Sequence, residues 1–275
     1  MMPILFRVLG YEVQSYIFLS ALSFILGIGI VAKIARKDSR GWSEISAVLT
    51  VMILSALIGA KLFHVLLEAR GHLLSDGSEA SGVWSLLQDD PWHWARILDP
   101  GYVFYGGLLL SVLTTWIFIK KKAIAYPMAY GDYAAVALAV GIFAGRIGCF
   151  LGGCCFGASA EQIPWAVSYP DEPLSELGSV HPTQLYDAFY GVWACWWLIL
   201  EHIKKRFYGA TFLCFLLSYS LWRFVTEFYR GDEDRGIWFS YFSSSQLISL
   251  LLFLTSVMLF NRNRRYVSVH KSNRT

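Results

Sequence analysis

The sequence predicts an all-α integral membrane protein with seven transmembrane helices and a small extracytoplasmic cap. Three observations predict it. Of 275 residues, 56% are apolar and only 16% are charged, where a soluble chain carries about 25% charged residues. Seven apolar stretches approach the ~20 residues that a helix needs to cross a hydrocarbon core. Basic residues gather after every second stretch, as the positive-inside rule requires. Soluble and disordered classes are excluded, because this much apolar surface (mean hydropathy +0.47) does not fit into one compact core. The net charge of +3 is small, so the pI of 8.5 gives no reason to expect a nucleic-acid partner.

In order, the spans are predicted near residues 16–35, 46–66, 102–119, 130–150, 183–200, 210–228 and 244–260. They read as apolar on all sides rather than striped, which separates them from surface amphipathic helices. Pro182 sits where a fifth helix would begin, a position that tolerates its missing N–H. No short apolar run ends in a small-residue cleavage site, so the first span is expected to stay as an anchor.

Charge sets the topology. Lys33, Arg36, Lys37 and Arg40 follow the first span, and Lys120, Lys121 and Lys122 the third. Lys204, Lys205 and Arg206 follow the fifth, and Arg262, Arg264, Arg265, Lys271 and Arg274 the seventh. These fifteen cations share their side with four acids, Asp38, Glu44, Asp132 and Glu201. The N-terminus is therefore expected outside and the C-terminus in the cytoplasm. The chain reads as a single polytopic domain, 1–275, with outer-face insertions at 68–101 and 151–182. Trp84, Trp92, Trp94 and Trp165 suit the headgroup level of that face.

The chemistry is expected where polar residues stand at membrane depth. Arg146 lies a turn from the outer end of the fourth span; Arg223, in the outer half of the sixth, is followed by Glu227 and Arg230. An arginine in hydrocarbon costs at least ~2.5 kcal/mol and so needs a partner or a task. One reading is structural, with Arg223 paired to Glu227 and Arg146 on helix-end carbonyls. The other is a phosphate site, since two guanidinium groups reach one outer-leaflet level and bind phosphate bidentately. His181 stands at the same level, opening the segment His181-Pro182-Thr183-Gln184-Leu185-Tyr186-Asp187. Lys61 reads as a structural or snorkelling lysine. In Gly145-Arg146-Ile147-Gly148-Cys149, and in Tyr105-Gly106-Gly107, packing and ligand cradling are equally compatible with the glycines; Gly148 and Gly152 have small-xxx-small spacing.

Cys195 and Cys214 fall inside spans as packing residues. Cys149, Cys154 and Cys155 cluster at the outer end of the fourth span, where a structural disulfide is the expectation. Their spacing matches no standard zinc pattern. Soft-metal binding and thiol chemistry, such as that of a membrane thiol–disulfide oxidoreductase, stay open.

The ordered motifs resemble the prolipoprotein diacylglyceryl transferase family. They are Gly59-Ala60-Lys61, Tyr105-Gly106-Gly107, Asp132, Gly145-Arg146-Ile147-Gly148, His181 to Tyr186, and Tyr219 with Arg223-Phe224-Val225-Thr226-Glu227-Phe228-Tyr229-Arg230. The resemblance implies a bacterial inner-membrane enzyme that moves a diacylglyceryl group from phosphatidylglycerol to the lipobox cysteine of a preprolipoprotein signal peptide, with no metal or organic cofactor. It implies catalytic roles for Arg146, Arg223, His181 and Tyr105. Substrate contacts are implied for Tyr16, Gly106, Gly107, Gly145, Gly148, Gln184, Tyr186, Tyr219, Glu227 and Arg230. Three positions depart from the family's usual pattern, with Tyr105 for His, Cys149 for Asn and Cys154 for Glu. A non-catalytic phospholipid-binding relative is the remaining alternative.

Overall fold

A computed structural model describes residues 4–8, 11–38, 41–68, 104–170, 178–204, 206–230, 237–238 and 242–272. Among them are seven α-helices: α1 (Ser15–Lys37), α2 (Trp42–Glu68), α3 (Phe104–Lys121), α4 (Met128–Gly152), α5 (Thr183–Ile203), α6 (Ala210–Thr226) and α7 (Ser244–Ser272). Each predicted apolar stretch is thus a helix. Four of the helices, α1, α2, α4 and α7, are long and apolar enough to cross a membrane. Helix α3 ends on Lys120 and Lys121, α5 carries buried Gln184, Asp187 and Glu201, and α6 has 17 residues. Most of the 68–101 insertion, including Trp84, Trp92 and Trp94, lies outside the described residues.

The chain divides into two compact units, Arg40–Pro127 and the remainder. In the smaller unit α2 and α3 meet through glycines. A Cβ on Gly59 would sit 2.5 Å from the Gly106 carbonyl, and one on Gly107 would sit 2.7 Å from that of Ala56. Helices in lipid gain little from hydrophobic burial against each other, so close backbone approach through small residues supplies the contact. Ser111 Oγ donates to the Met52 carbonyl across the same seam, at 3.0 Å.

In the larger unit a hairpin, β1 (Ile4–Val8) and β2 (Tyr11–Gln14), leads into α1. Helices α4, α5 and α6 enclose a core of Ala135, Val136, Ala139, Tyr190, Ala194, Leu198, Cys214 and Phe215. Gly191 lets α5 approach the α4 backbone, where a Cβ would lie 2.6 Å from the Phe143 nitrogen. Leu221, Phe189 and Leu251 are among the large apolar side chains left facing outward, as a lipid solvent favours.

In the larger unit polar groups gather at both ends of the helices. At one end, Asp38 after α1 accepts from Tyr133 Oη of α4 (3.0 Å) and meets His202 Nε2 of α5 (2.8 Å). Asp132 belongs to this end and caps α6 from a neighbouring helix, accepting from Gly209 N (2.8 Å) and Phe212 N (3.0 Å). Gly209 precedes α6 in a left-handed conformation (φ 92°), which glycine adopts without a Cβ penalty. Buried Glu201 holds Lys204 (2.5 Å) and Arg206 (3.3 Å). The opposite end gathers the last turn of α4, the start of α5 and the end of α6, and with them the polar residues singled out above.

Candidate active site

Arg146 extends from the last turns of α4 and places Nε 3.1 Å from Asp187 Oδ2 on the first turns of α5. The carboxylate's other oxygen accepts from Trp222 Nε1 of α6 at 2.8 Å. Arg146 is therefore held by a carboxylate rather than by the helix-end carbonyls of the structural reading. Asp187 takes Nε and leaves the terminal amino groups of the fork out of that pair. The guanidinium is oriented without being consumed.

Arg223 is positioned by its own helix. Its Nη2 lies 2.7 Å from Glu227 Oε2 and 3.3 Å from Ser245 Oγ. Glu227, 4% exposed, begins a single 3-10 turn (Glu227–Tyr229) that ends α6, and its Oε1 accepts from Ser243 Oγ at 2.9 Å. Ser243 also begins α7. Its Oγ accepts from Gln246 N while Gln246 Oε1 accepts from Ser243 N. This reciprocal pair is a capping box, legible as Ser-x-x-Gln before an apolar run. One hydroxyl thus starts a helix and steadies the acid that holds Arg223. Arg223 Nη1 is buried and has no hydrogen-bond partner among the described residues.

Arg223, Arg146 and Arg230, together with Asp187, all act electrostatically on the Tyr219 hydroxyl of α6. The arginine side chains are not sealed off, with 23% of Arg146 and 20% of Arg223 exposed.

Beyond α4 the chain builds a small irregular scaffold. Residues 157–159 run between the segment entering α5 and the segment leaving α6. Gly157 N donates to the His181 carbonyl (2.8 Å), His181 N to Ala158 O (2.9 Å), and Ala158 N to Tyr229 O (2.9 Å). A side chain at Gly157 would strike the Tyr229 carbonyl and come within 2.7 Å of His181 Cβ. The strands β3 (Val167–Ser168) and β4 (Ser179–Val180) extend this scaffold. It sets His181 beside Tyr229, their rings 5.1 Å apart. His181 Nδ1 lies 3.1 Å from Tyr186 Oη, which accepts from Trp165 Nε1 at 2.8 Å. The Tyr186 oxygen keeps a second lone pair for an Nδ1–H donor, the tautomer in which the Nε2 lone pair is left unprotonated.

Gln184 is fully buried and structural in its contacts, donating through Nε2 to Cys154 O (2.7 Å) and Tyr169 Oη (2.8 Å). Gly148 packs on α1, where a Cβ would come 3.0 Å from Tyr16 Cα, but Gly152 faces open space. Of the small-xxx-small pair only the first makes a helix contact. Gly145 likewise has no atom of the described residues within 4 Å of such a Cβ. Gly106 and Gly107 are consumed by the α2–α3 seam described above, and the Tyr105 side chain lies outside the described residues.

The expected disulfide is not formed. All five cysteines are free thiols. Cys154 Sγ turns toward the Cys149 carbonyl (3.7 Å), and the three sulfurs stand apart as a cluster. Cys155 is held below its ordinary pKa by the neighbouring Cys149 and Cys154 thiols, with Arg146 and Arg230 adding to the effect against burial. Cys214 is buried in the core and Cys195 packs against it, as predicted.

A family profile described as prolipoprotein diacylglyceryl transferase matches residues 3–262. The chain belongs to that family. It is 29% identical over 268 residues to the phosphatidylglycerol–prolipoprotein diacylglyceryl transferase of Clostridium tetani, covering 96% of this chain and 98% of that one. The enzyme of the same name from Pseudoalteromonas translucida is 29% identical over 90% of this chain and 87% of its own. That of Geobacter sulfurreducens is 28% identical over 95% and 96%.

Sequence reasoning missed Asp187, Trp222, Ser243 and Gly157. Asp187 was within reach of it, because an acid buried in a span demands a cation. Ser243 carried a capping-box signal. Nothing local marked Gly157, whose role exists only where three segments cross.

Proposed function

We propose that this protein transfers a diacylglyceryl group from phosphatidylglycerol to the lipobox cysteine thiol of preprolipoproteins in the bacterial inner membrane. The relatives' names support the substrates. The observation that carries the site is Arg223 Nη1, buried and without a hydrogen-bond partner among the described residues, alongside an Arg146 oriented by Asp187. A phosphate oxygen satisfies such a donor.

In this reading the substrate thiolate attacks the glycerol carbon bearing the phosphate. A C–S bond forms, the C–O bond breaks, and glycerol phosphate leaves with the electron pair. Arg146 and Arg223 stabilise the charge growing on the leaving oxygens, in a poorly hydrated cleft where fixed charges act most strongly. Glu227 fixes Arg223, and Arg230 draws the headgroup inward. His181 Nε2 takes the thiol proton, the thiol's free pKa being about 8.5. Gly145 leaves room for substrate, and Tyr186 and Gln184 position His181 and the loop. Tyr16 and Gly148 are taken to border the lipid. Tyr105, Gly106 and Gly107 stay in the proposal by family resemblance alone. Helices α3, α5 and α6 are taken as spans too, with residues 151–182 capping the periplasmic face, the N-terminus periplasmic and the C-terminus cytoplasmic.

The test is a transferase assay with labelled phosphatidylglycerol and a lipobox peptide. Arg146→Ala is expected to abolish transfer and leave a folded protein; full activity in that variant removes the central role of Arg146.

A further inference from the structure

The three thiols at the C-terminal end of α4 and just after it have no part in the reaction above, yet they form a tight cluster of metal-ligating side chains. The Sγ atoms of Cys149, Cys154 and Cys155 all lie within 4.8 Å of one another. Cys155 holds a left-handed backbone (φ 62°), a conformation disfavoured for any residue with a Cβ. It is kept there from outside the loop, since Thr183 Oγ1 donates to Cys155 O (2.9 Å) and Gln184 Nε2 to Cys154 O (2.7 Å). The helix after His181 therefore clamps two adjacent cysteines with both sulfurs turned to the third. Cys149 forms a buried base, and Cys154 and Cys155 are exposed, which gives an ion a way in.

We propose that Cys149, Cys154 and Cys155 form a trigonal site for a soft monovalent cation, Cu(I). Soft thiolates select Cu(I), whereas structural zinc almost always takes four ligands. Among the described residues no His, Asp or Glu joins the three sulfurs as a fourth donor. With metal–sulfur bonds of about 2.3 Å, a trigonal ion sets its sulfurs about 4 Å apart, so the cluster needs to close by less than an ångström. Binding forms three Cu–S bonds and releases the thiol protons to water, and no electron changes hands. The loaded site carries two negative charges, and Arg146 and Arg230 are within electrostatic range of Cys155 to balance them. Loading therefore opposes an anion at those arginines, a consequence that, unlike the site itself, rests on the proposed headgroup role.

The test presents Cu(I), as its coloured bicinchoninate complex, to the full-length protein in detergent without oxygen. Wild type is expected to withdraw one Cu(I) per chain. Cys154→Ser and Cys155→Ser, both at exposed positions, are expected to weaken uptake at least 100-fold, and Cys195→Ser to leave it unchanged. No uptake by wild type, equal uptake by the Cys154→Ser/Cys155→Ser double variant, or equally tight Zn(II) binding overturns the site. So does a disulfide among the three in anaerobically purified protein. Lipid transfer measured on the same samples is expected to fall on loading; copper uptake with unchanged transfer overturns the electrostatic consequence alone.

Discussion

Asp187 reaches from the first turns of α5 to the Nε of Arg146 on α4, 3.1 Å away, while Trp222 of α6 holds its second oxygen. Three helices thus agree on the direction of one guanidinium. The carboxylate does not need to touch a substrate to matter, because it fixes the fork. Asp187→Asn keeps the shape and removes the charge. A charge-assisted bond is worth about 1.5–3 kcal/mol, so kcat is expected to fall about 10- to 100-fold. KM for phosphatidylglycerol is expected not to rise, since the uncompensated cation still attracts the anion. Steady-state kinetics check both, and wild-type kcat in a folded variant removes the positioning role.

Glu227 is nearly inaccessible, whereas Arg223 keeps a fifth of its side chain exposed. Glu227→Gln leaves a cation half-buried with its hydrogen bonds reduced. The cost is expected at roughly 2–3 kcal/mol, below the ~3–5 kcal/mol of a fully buried broken pair. That lowers Tm by roughly 5–10 °C, read by thermal unfolding in detergent. An unchanged Tm sinks the assignment of Glu227 as the anchor of Arg223.

Two glycines separate packing from binding. Gly157→Ala pushes a methyl group into the Tyr229 carbonyl and His181 and is expected to lower both stability and transfer. Gly145→Ala meets no atom of the described residues within 4 Å, so its Tm is expected to match wild type. Transfer should nevertheless fall at least about tenfold if substrate fills that space, at about 1.4 kcal/mol per decade. A stable, fully active Gly145→Ala protein excludes a substrate contact there.

Asp132 caps a helix to which it does not belong. Asp132→Ala strips Gly209 N and Phe212 N of their acceptor. Two stranded donors cost about 2–4 kcal/mol, and hydrogen exchange is expected to quicken in the first turn of α6 before the rest of the helix. Uniform exchange across α6 contradicts the capping role.

Composition and the alternation of charge were enough to place seven helices, and the motif order was enough to name a family. Both are properties of the chain read in one dimension: apolar length decides which segments leave water, and flanking cations record where each ends. The pairing Arg223–Glu227 was legible for the same reason, since four residues make one helical turn. The partner of Arg146 was not, because Asp187 is 41 positions away and is brought close only by the packing of α4 on α5. The cysteines show the difference most plainly. Sequence placed three thiols at the end of the fourth span and suggested a disulfide; the structure leaves them free, with Thr183 and Gln184 holding the Cys155 and Cys154 carbonyls and the sulfurs clustered within 4.8 Å. Which polar groups meet depends on how helices cross, and crossing is settled by glycine contacts and carboxylate pairs between segments that the linear order keeps distant.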